Sequence, residues 1–250
     1  MSFEGKVVIV TGAARGLGRD YAEFFAREGA SVVVADKLTE QAAEVAERIN
    51  AAGQKALSVP LDVTDPAAAR EMVRRTVEKF GRIDGLINNA GIWGDLANSP
   101  AIETDPAYWD LVMAVNVKGP LLCAQAVAPL MKERKYGRIV NISSMGAYMR
   151  GGVYCVSKLA LNSVTWQLAG ELGAYNITVN GIGPGAIWNE ATQRQLQDKA
   201  IFDQLIGMNC IKRPGTSSDI YAAMRFLLSD DAEWVTGQTI LVNGGFNVVL

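Results

Sequence analysis

Tyr154 and Lys158 stand four residues apart in the stretch GGVYCVSKLA, residues 151 to 160, of a 250-residue chain that contains no histidine. On a helix, positions i and i+4 share a face, so a phenol and an ammonium are neighbours there. By spacing alone the pair is equally an ordinary surface feature. Used chemically, the ammonium favours the phenolate. A free phenol titrates near ~10, and bringing it to about 7 takes roughly 4 kcal/mol at ~1.36 kcal/mol per pH unit. One charge in partial burial supplies part of this, and a second positive charge makes it attainable. A tyrosine tuned in this way does the proton transfer that histidine does in other proteins. The missing histidine also excludes Ser-His-Asp hydrolases and histidine-ligated metal sites.

A second cluster lies near the start. TGAARGLG, residues 11 to 18, places Gly12, Gly16 and Gly18, with Arg15 and Leu17 between them, after the apolar run KVVIVTG and before the amphipathic stretch GRDYAEFFAREGA. Glycines at a strand-to-helix junction allow a tight turn and close approach of a pyrophosphate, and the helix N-terminus offers unpaired N–H groups. The spacing is GxxxGxG rather than the dinucleotide fingerprint GxGxxG. A bland turn would look the same in isolation. Asp36 closes the next apolar run, SVVVAD. A carboxylate there accepts hydrogen bonds from an adenosine ribose 2′-OH and repels a 2′-phosphate; otherwise it is a solvated strand end. Arg15 and Lys37 pull the other way, but the Asp36 carboxylate must sit where the phosphate would go, so NAD is expected as cofactor, with NADP the less favoured choice.

The elements that must carry these residues follow from periodicity. Short β-branched runs alternate with helical patterns: strands in KVVIVTG, SVVVAD, KALSVPLDV, IDGLINNAG, GRIVNISS, ITVNGIGPG and QTILVNGG. Runs that are apolar throughout belong in a sheet covered on both faces, and strand–helix alternation makes it parallel. The expected fold is α/β: a doubly wound, seven-stranded parallel sheet of Rossmann type in one domain spanning 1–250. Thr39 is expected to cap the second helix, Asp65 with Pro66 to open the third, one long helix to run from about 105 to 131, and another from 152 to 174. The segment 188–212 breaks the alternation and reads as a substrate lid.

Composition narrows the rest. The chain is 49% hydrophobic with a formal net charge of −2. That balance points to no nucleic-acid partner and no anionic membrane, and no apolar run approaches the length of a bilayer span. The N-terminus lacks a signal-peptide layout, so a cytoplasmic protein is expected. Cys123, Cys155 and Cys210 show no CxxC spacing and read as reduced, buried small hydrophobes.

Taken in order, TGAARGLG, NNAG at 88–91, Asn116 in NVKG, ISS at 142–144, YCVSK at 154–158 and PG at 184–185 resemble the short-chain dehydrogenase/reductase family nearly end to end. The resemblance implies a role for each. Tyr154 would be the catalytic acid/base, and Lys158 would lower its pKa and hold the nicotinamide ribose. Ser144 would bind the substrate oxygen, and Asn116 would anchor a water relaying protons through Lys158. Asn89, Ala90 and Gly91 would lie beside the adenosine half of the cofactor. Asp62 and Val63 would meet the adenine, and Pro184, Gly185 and Ile187 would frame the nicotinamide. Ser143 is the rival of Ser144, but neighbouring strand side chains face opposite ways. A homotetramer is also implied.

Two features depart from the family pattern. The segment from Ser144 to Tyr154 is short, and Asn189 stands where threonine usually meets the nicotinamide carboxamide. Trp93, Met145, Tyr148 and Trp188, with Met149, Phe202 and Leu205, are candidates for a substrate wall, though such residues equally build cores. Arg150 and Arg194 are candidates for an acidic group on the substrate. The expected activity is NAD-dependent interconversion of a secondary alcohol and a ketone on a bulky hydrophobic or cyclic small molecule. The alternatives are an NADPH-dependent 3-oxoacyl thioester reductase and a non-catalytic dinucleotide sensor.

Overall fold

The computed structural model describes residues 2–93, 100–188 and 199–247. β1 (Val7–Thr11) is buried along its whole length, and so is β2 (Ser31–Asp36) after its first residue. Their side chains divide by alternation. Val8, Val10, Val32 and Val34 face one core with Tyr21, Phe25 and Ile49, whereas Ile9 and Val33 face the other with Met72, Val127 and Met131. β3 (Lys55–Pro60), β4 (Gly85–Asn88), β5 (Gly137–Ile142), β6 (Ile177–Pro184) and β7 (Thr239–Val242) complete a seven-stranded sheet. Its order is β3-β2-β1-β4-β5-β6-β7, with every pairing parallel.

Helices cover both faces. α1 (Gly16–Arg27), α2 (Thr39–Ala51) and α8 (Ser217–Leu228) bury residues in the first core, while α3 (Pro66–Phe80), α5 (Gly119–Arg134) and α6 (Gly152–Leu172) do so in the second. α4 (Pro106–Met113) and α7 (Lys199–Met208) follow β4 and β6 in the chain. The Asp65 side chain accepts from the Ala67 N–H, and Pro66 takes the first helical position, as expected. Thr39 does not cap α2. Leu38 holds that position without a side-chain cap, because Asp36 Oδ1 accepts the Leu38 N–H at 2.9 Å and draws the chain into the helix one residue early.

The expected single helix from about 105 to 131 is a composite. α4 runs into a π-helical stretch, Ala114–Lys118, and then into α5. By length and composition the whole stretch Pro106–Arg134 is apolar enough to cross a bilayer. This corrects the reading of apolar runs, which missed it because polar residues interrupt the pattern. Here Cys123, Ala124, Val127 and Met131 pack it onto the sheet. The strand order reverses direction between β1 and β4, and in such sheets the crevice outside the carboxyl ends at that switch point is where ligands bind.

Candidate active site

A crevice of about 970 Å³ opens at that switch point. Its floor is the loop between β1 and α1. Gly12 has φ +65°, and a Cβ there would lie 2.7 Å from the Ala90 Cα; Gly18 packs against Gly12 O and the Asn89 side chain with no room for one. Only glycine fits this double approach. Asn89 Nδ2 donates to Thr11 O and Gly12 O, both at 3.0 Å, and Thr11 Oγ1 accepts the N–H groups of Asn89 and Ala90, both at 3.1 Å. Two sequence-distant turns are thereby welded into one surface. Arg15 precedes α1 in extended conformation and gives no side-chain cap, so the first-turn N–H groups have no side-chain acceptor at that position.

Asp36 lies at the carboxyl end of β2, buried, with one carboxylate oxygen accepting from Ala14 N–H and the other from Leu38 N–H, both at 2.9 Å. Arg15 and Lys37 line the crevice beside it and are exposed. Asp62 accepts from the Thr64 hydroxyl at 2.7 Å and its N–H at 2.9 Å; these bonds hold its carboxyl below the usual range. Gly16, Leu17, Val63 and Gly91 line the same end, and Pro184, Gly185 and Ile187 come in from the end of β6.

At the other end β5 delivers Ser143 and Ser144 in opposite directions. Ser143 Oγ donates to Lys158 O at 3.3 Å and is buried. Ser144 faces the crevice, accepts from Gly146 N–H at 3.0 Å and shares a hydrogen bond with the Tyr154 hydroxyl. α6 carries Tyr154 and Lys158 on one face, with the Lys158 Nζ 5.7 Å from the phenol ring centre. Lys158 is buried, and its Nζ donates to Ile142 O at 2.7 Å. The carbonyl of Ile142 is a partner that no side-chain motif announces.

The electrostatics run against the expected direction. Burial pushes the Tyr154 phenol up to about 12, and the hydrogen bond from Ser144 only partly opposes it. Burial likewise draws Lys158 down to about 8. Desolvation favours the neutral form of each group, and in the protein alone it is the largest cause of both shifts. Tyr154 is part-buried and lines the crevice, so lowering its pKa from about 12 to about 7 takes at most ~7 kcal/mol.

Asn116 sits in the π-helical stretch, fully buried behind the crevice wall. Its Oδ1 accepts Ile92 N–H at 2.7 Å, and its Nδ2 donates to Ile92 O at 2.8 Å and to Ser157 Oγ at 3.0 Å. Ser157 Oγ in turn donates to Tyr154 O at 2.7 Å. The side chain is a three-way staple, and Ser157 is a link that sequence reasoning passed over although it sits inside YCVSK. Trp93 and Met145 line the crevice, joined by Tyr108, Leu111 and Val115 from the composite helix, which sequence reasoning also missed. Their spacing is helical, but nothing in it separates a ligand-facing side from a core-facing one.

Tyr148 and Trp188 are not in the wall. Tyr148 is exposed and its hydroxyl accepts from Asn162 Nδ2 at 3.2 Å; Trp188 stacks on Phe202, ring centres 4.7 Å apart, and is itself exposed. Among the described side chains of α7, Phe202 and Leu205 reach the crevice. Asn189 and Arg194 lie outside the described residues, as does much of the expected lid. Cys123 and Cys155 are buried as expected, but Cys210 is exposed and donates to Gly245 O at 3.3 Å.

A parallel sheet with a glycine-floored switch point and a serine, tyrosine and lysine converging at its carboxyl edge defines a dinucleotide-dependent oxidoreductase architecture. Comparison with known proteins agrees. The family model described as enoyl-(acyl carrier protein) reductase matches residues 12–247, and the chain belongs to the short-chain dehydrogenase/reductase family. An uncharacterized oxidoreductase of Mycobacterium tuberculosis is 44% identical over 97% of this chain and 98% of its own. The 3-oxoacyl-(acyl-carrier-protein) reductase FabG of Thermotoga maritima is 37% identical over 98% and 99%. A gluconate 5-dehydrogenase from Burkholderia cenocepacia, solved in complex with NADP and tartrate, superposes with a TM-score of 0.92 at 31% identity, covering 100% of this chain and 98% of that one.

Proposed function

We propose that the protein interconverts a secondary alcohol and a ketone on a hydrophobic small molecule, with NAD as cofactor. One observation carries the reading: Ser144, Tyr154 and Lys158 meet at the crevice, serine bonded to the phenol and lysine locked against Ile142 O. The residues at the other end fit a dinucleotide. The Gly12–Gly18 floor, the uncapped first turn of α1 and the open space over Gly16, where a Cβ would meet nothing within 4 Å, leave room for a pyrophosphate. Asp36, its carboxylate held by two backbone N–H groups, supports ribose hydroxyls over a 2′-phosphate. The nicotinamide supplies or accepts the hydride when bound.

The chain's own groups handle the oxygen. Ser144 orients the substrate oxygen and steadies charge developing on it. Tyr154 exchanges a proton at that same atom. A phenol held near 12 is protonated at neutral pH and stands ready as a donor to a nascent alkoxide, which is the reductive direction; in the oxidative direction it must first lose that proton. Lys158 supplies positive charge next to the phenol. Ile92, which also lines the crevice, is held by Asn116.

A second reading, an NADPH-dependent 3-oxoacyl thioester reductase, is favoured by the exposed Arg15 and Lys37 beside Asp36, by the FabG relative and by the NADP held in the gluconate dehydrogenase. Steady-state kinetics with both cofactors separate the two. At least about tenfold higher kcat/KM with the NAD couple on a panel of hydroxysteroids, terpenols and aryl alcohols supports the first. A preference for NADPH with acyl thioesters replaces it with the second. A pure sensor would show no dinucleotide-linked absorbance change with either panel.

A further inference from the structure

We propose that the substrate carries a carboxylate and that Arg150, at the mouth of the crevice, receives it; this rests on the alcohol–ketone reading above. The described walls of the crevice are divided by charge. At the dinucleotide end, Asp36 and Asp62 stand with Arg15 and Lys37. On the far side of Tyr154 the described walls carry no acid. Leu111, Met145, Met149, Phe202 and Leu205 give that side an apolar surface, and among the described residues the formal charges there are the buried Lys158 and the exposed Arg150.

Among the described residues, no carboxylate pairs with Arg150, whereas Arg74, Arg82 and Arg213 each hold one at 2.9 Å or less. Lys158 is engaged with Ile142 O, so a substrate anion at the crevice mouth has Arg150 to meet. Arg150 also hangs two residues before α6, the helix that carries Tyr154. The guanidinium and the reacting phenol therefore belong to one short segment, which sets the reach between the carboxylate and the reacting carbon. A guanidinium matches a carboxylate with two parallel N–H bonds, and an apolar surround strengthens such a pair.

The test uses titration calorimetry on the protein saturated with whichever oxidised dinucleotide it binds, so that no turnover accompanies binding of a ketone. Benzoylpropionate and its primary amide are the matched probes. The acid is expected to bind the wild type about 10- to 100-fold more tightly than the amide, the range of a charge-assisted contact. Arg150→Gln is expected to bring that ratio to near one, and Arg150→Lys to restore part of it. A wild-type ratio near one, whether both probes bind or neither does, overturns the proposal, and so does a ratio that survives in Arg150→Gln.

A further arm compares acetoacetyl-CoA with its N-acetylcysteamine counterpart. If Arg150→Gln weakens only the CoA ester and leaves the acid-to-amide ratio intact, the anion is a phosphate and the carboxylate assignment falls. Turnover of benzoylpropionate with the reduced dinucleotide is read separately. Its absence beside a preserved acid preference counts against the alcohol–ketone reading and leaves the role of Arg150 standing.

Discussion

The two ends of the crevice treat charge in opposite ways. At the dinucleotide end, the side chains of Asp36 and Asp62 accept hydrogen bonds from Ala14, Leu38 and Thr64. At the reacting end, Tyr154 and Lys158 are both drawn toward their neutral forms by burial, to about 12 and about 8. The first arrangement makes a fixed electrostatic template. The second holds both groups toward their neutral forms, the phenol binding its proton more tightly than in water and the amine less tightly, so the state of each depends on the charge brought beside it. Recognition asks for the former and proton exchange for the latter.

The largest expected effect breaks the contrast at the reacting end. Tyr154→Phe is expected to lower turnover by about 10³-fold or more while leaving dinucleotide affinity within about threefold. Steady-state rates and fluorescence titration measure the two, and retained turnover would end the proposed role of the phenol.

Lys158→Met is expected to cut turnover by about 10²-fold and, at pH 7, to raise thermal stability. Lys158 has a folded pKa of about 8 against 10.5 for the free group. The unfolded chain therefore binds more protons between those values, and wild-type stability rises as pH climbs through that window. Below it the buried ammonium opposes folding by ~3 kcal/mol; orphaning Ile142 O offsets part of this, so a net gain of about 1–2 kcal/mol is expected. The gain should fade above pH 10.5. Denaturant unfolding of both proteins at pH 7 and at high pH checks it, and a destabilised variant at pH 7 would show that lysine is held more favourably than burial implies.

The smallest effect sharpens the comparison from the template end. Asp36→Ala should move the kcat/KM ratio between NAD and NADP by about 10- to 50-fold toward NADP, with only minor change in kcat. An unchanged ratio would reassign cofactor choice to Arg15 and Lys37.

Much of this was legible in the sequence where one local rule governs. β2 falls on SVVVAD because every residue but the first is buried between two layers. Asp65–Pro66 opens α3 because capping is a contact between near neighbours. The opposite facing of Ser143 and Ser144 follows from strand alternation alone. What stayed hidden depends on distant partners. The π-helical turn at Ala114–Lys118 shifts register within a single turn, too briefly to disturb a periodicity. Thr39 lost its capping place to a carboxylate on the preceding strand. Tyr148 and Trp188 are the same residue types as true wall residues, and only the path of the chain decides which side they face. The rise of the Tyr154 pKa is a matter of solvent exclusion by the assembled fold, and no spacing of tyrosine and lysine encodes it.

Asn116 joins the segment after β4, the composite helix and α6 through Ile92 and Ser157. One amide group closes all three connections. The Ile92 N–H, although it belongs to a connecting segment, is sealed by the same bond that anchors a buried side chain, so it should exchange its hydrogen with solvent on the timescale of the sheet rather than of a loop.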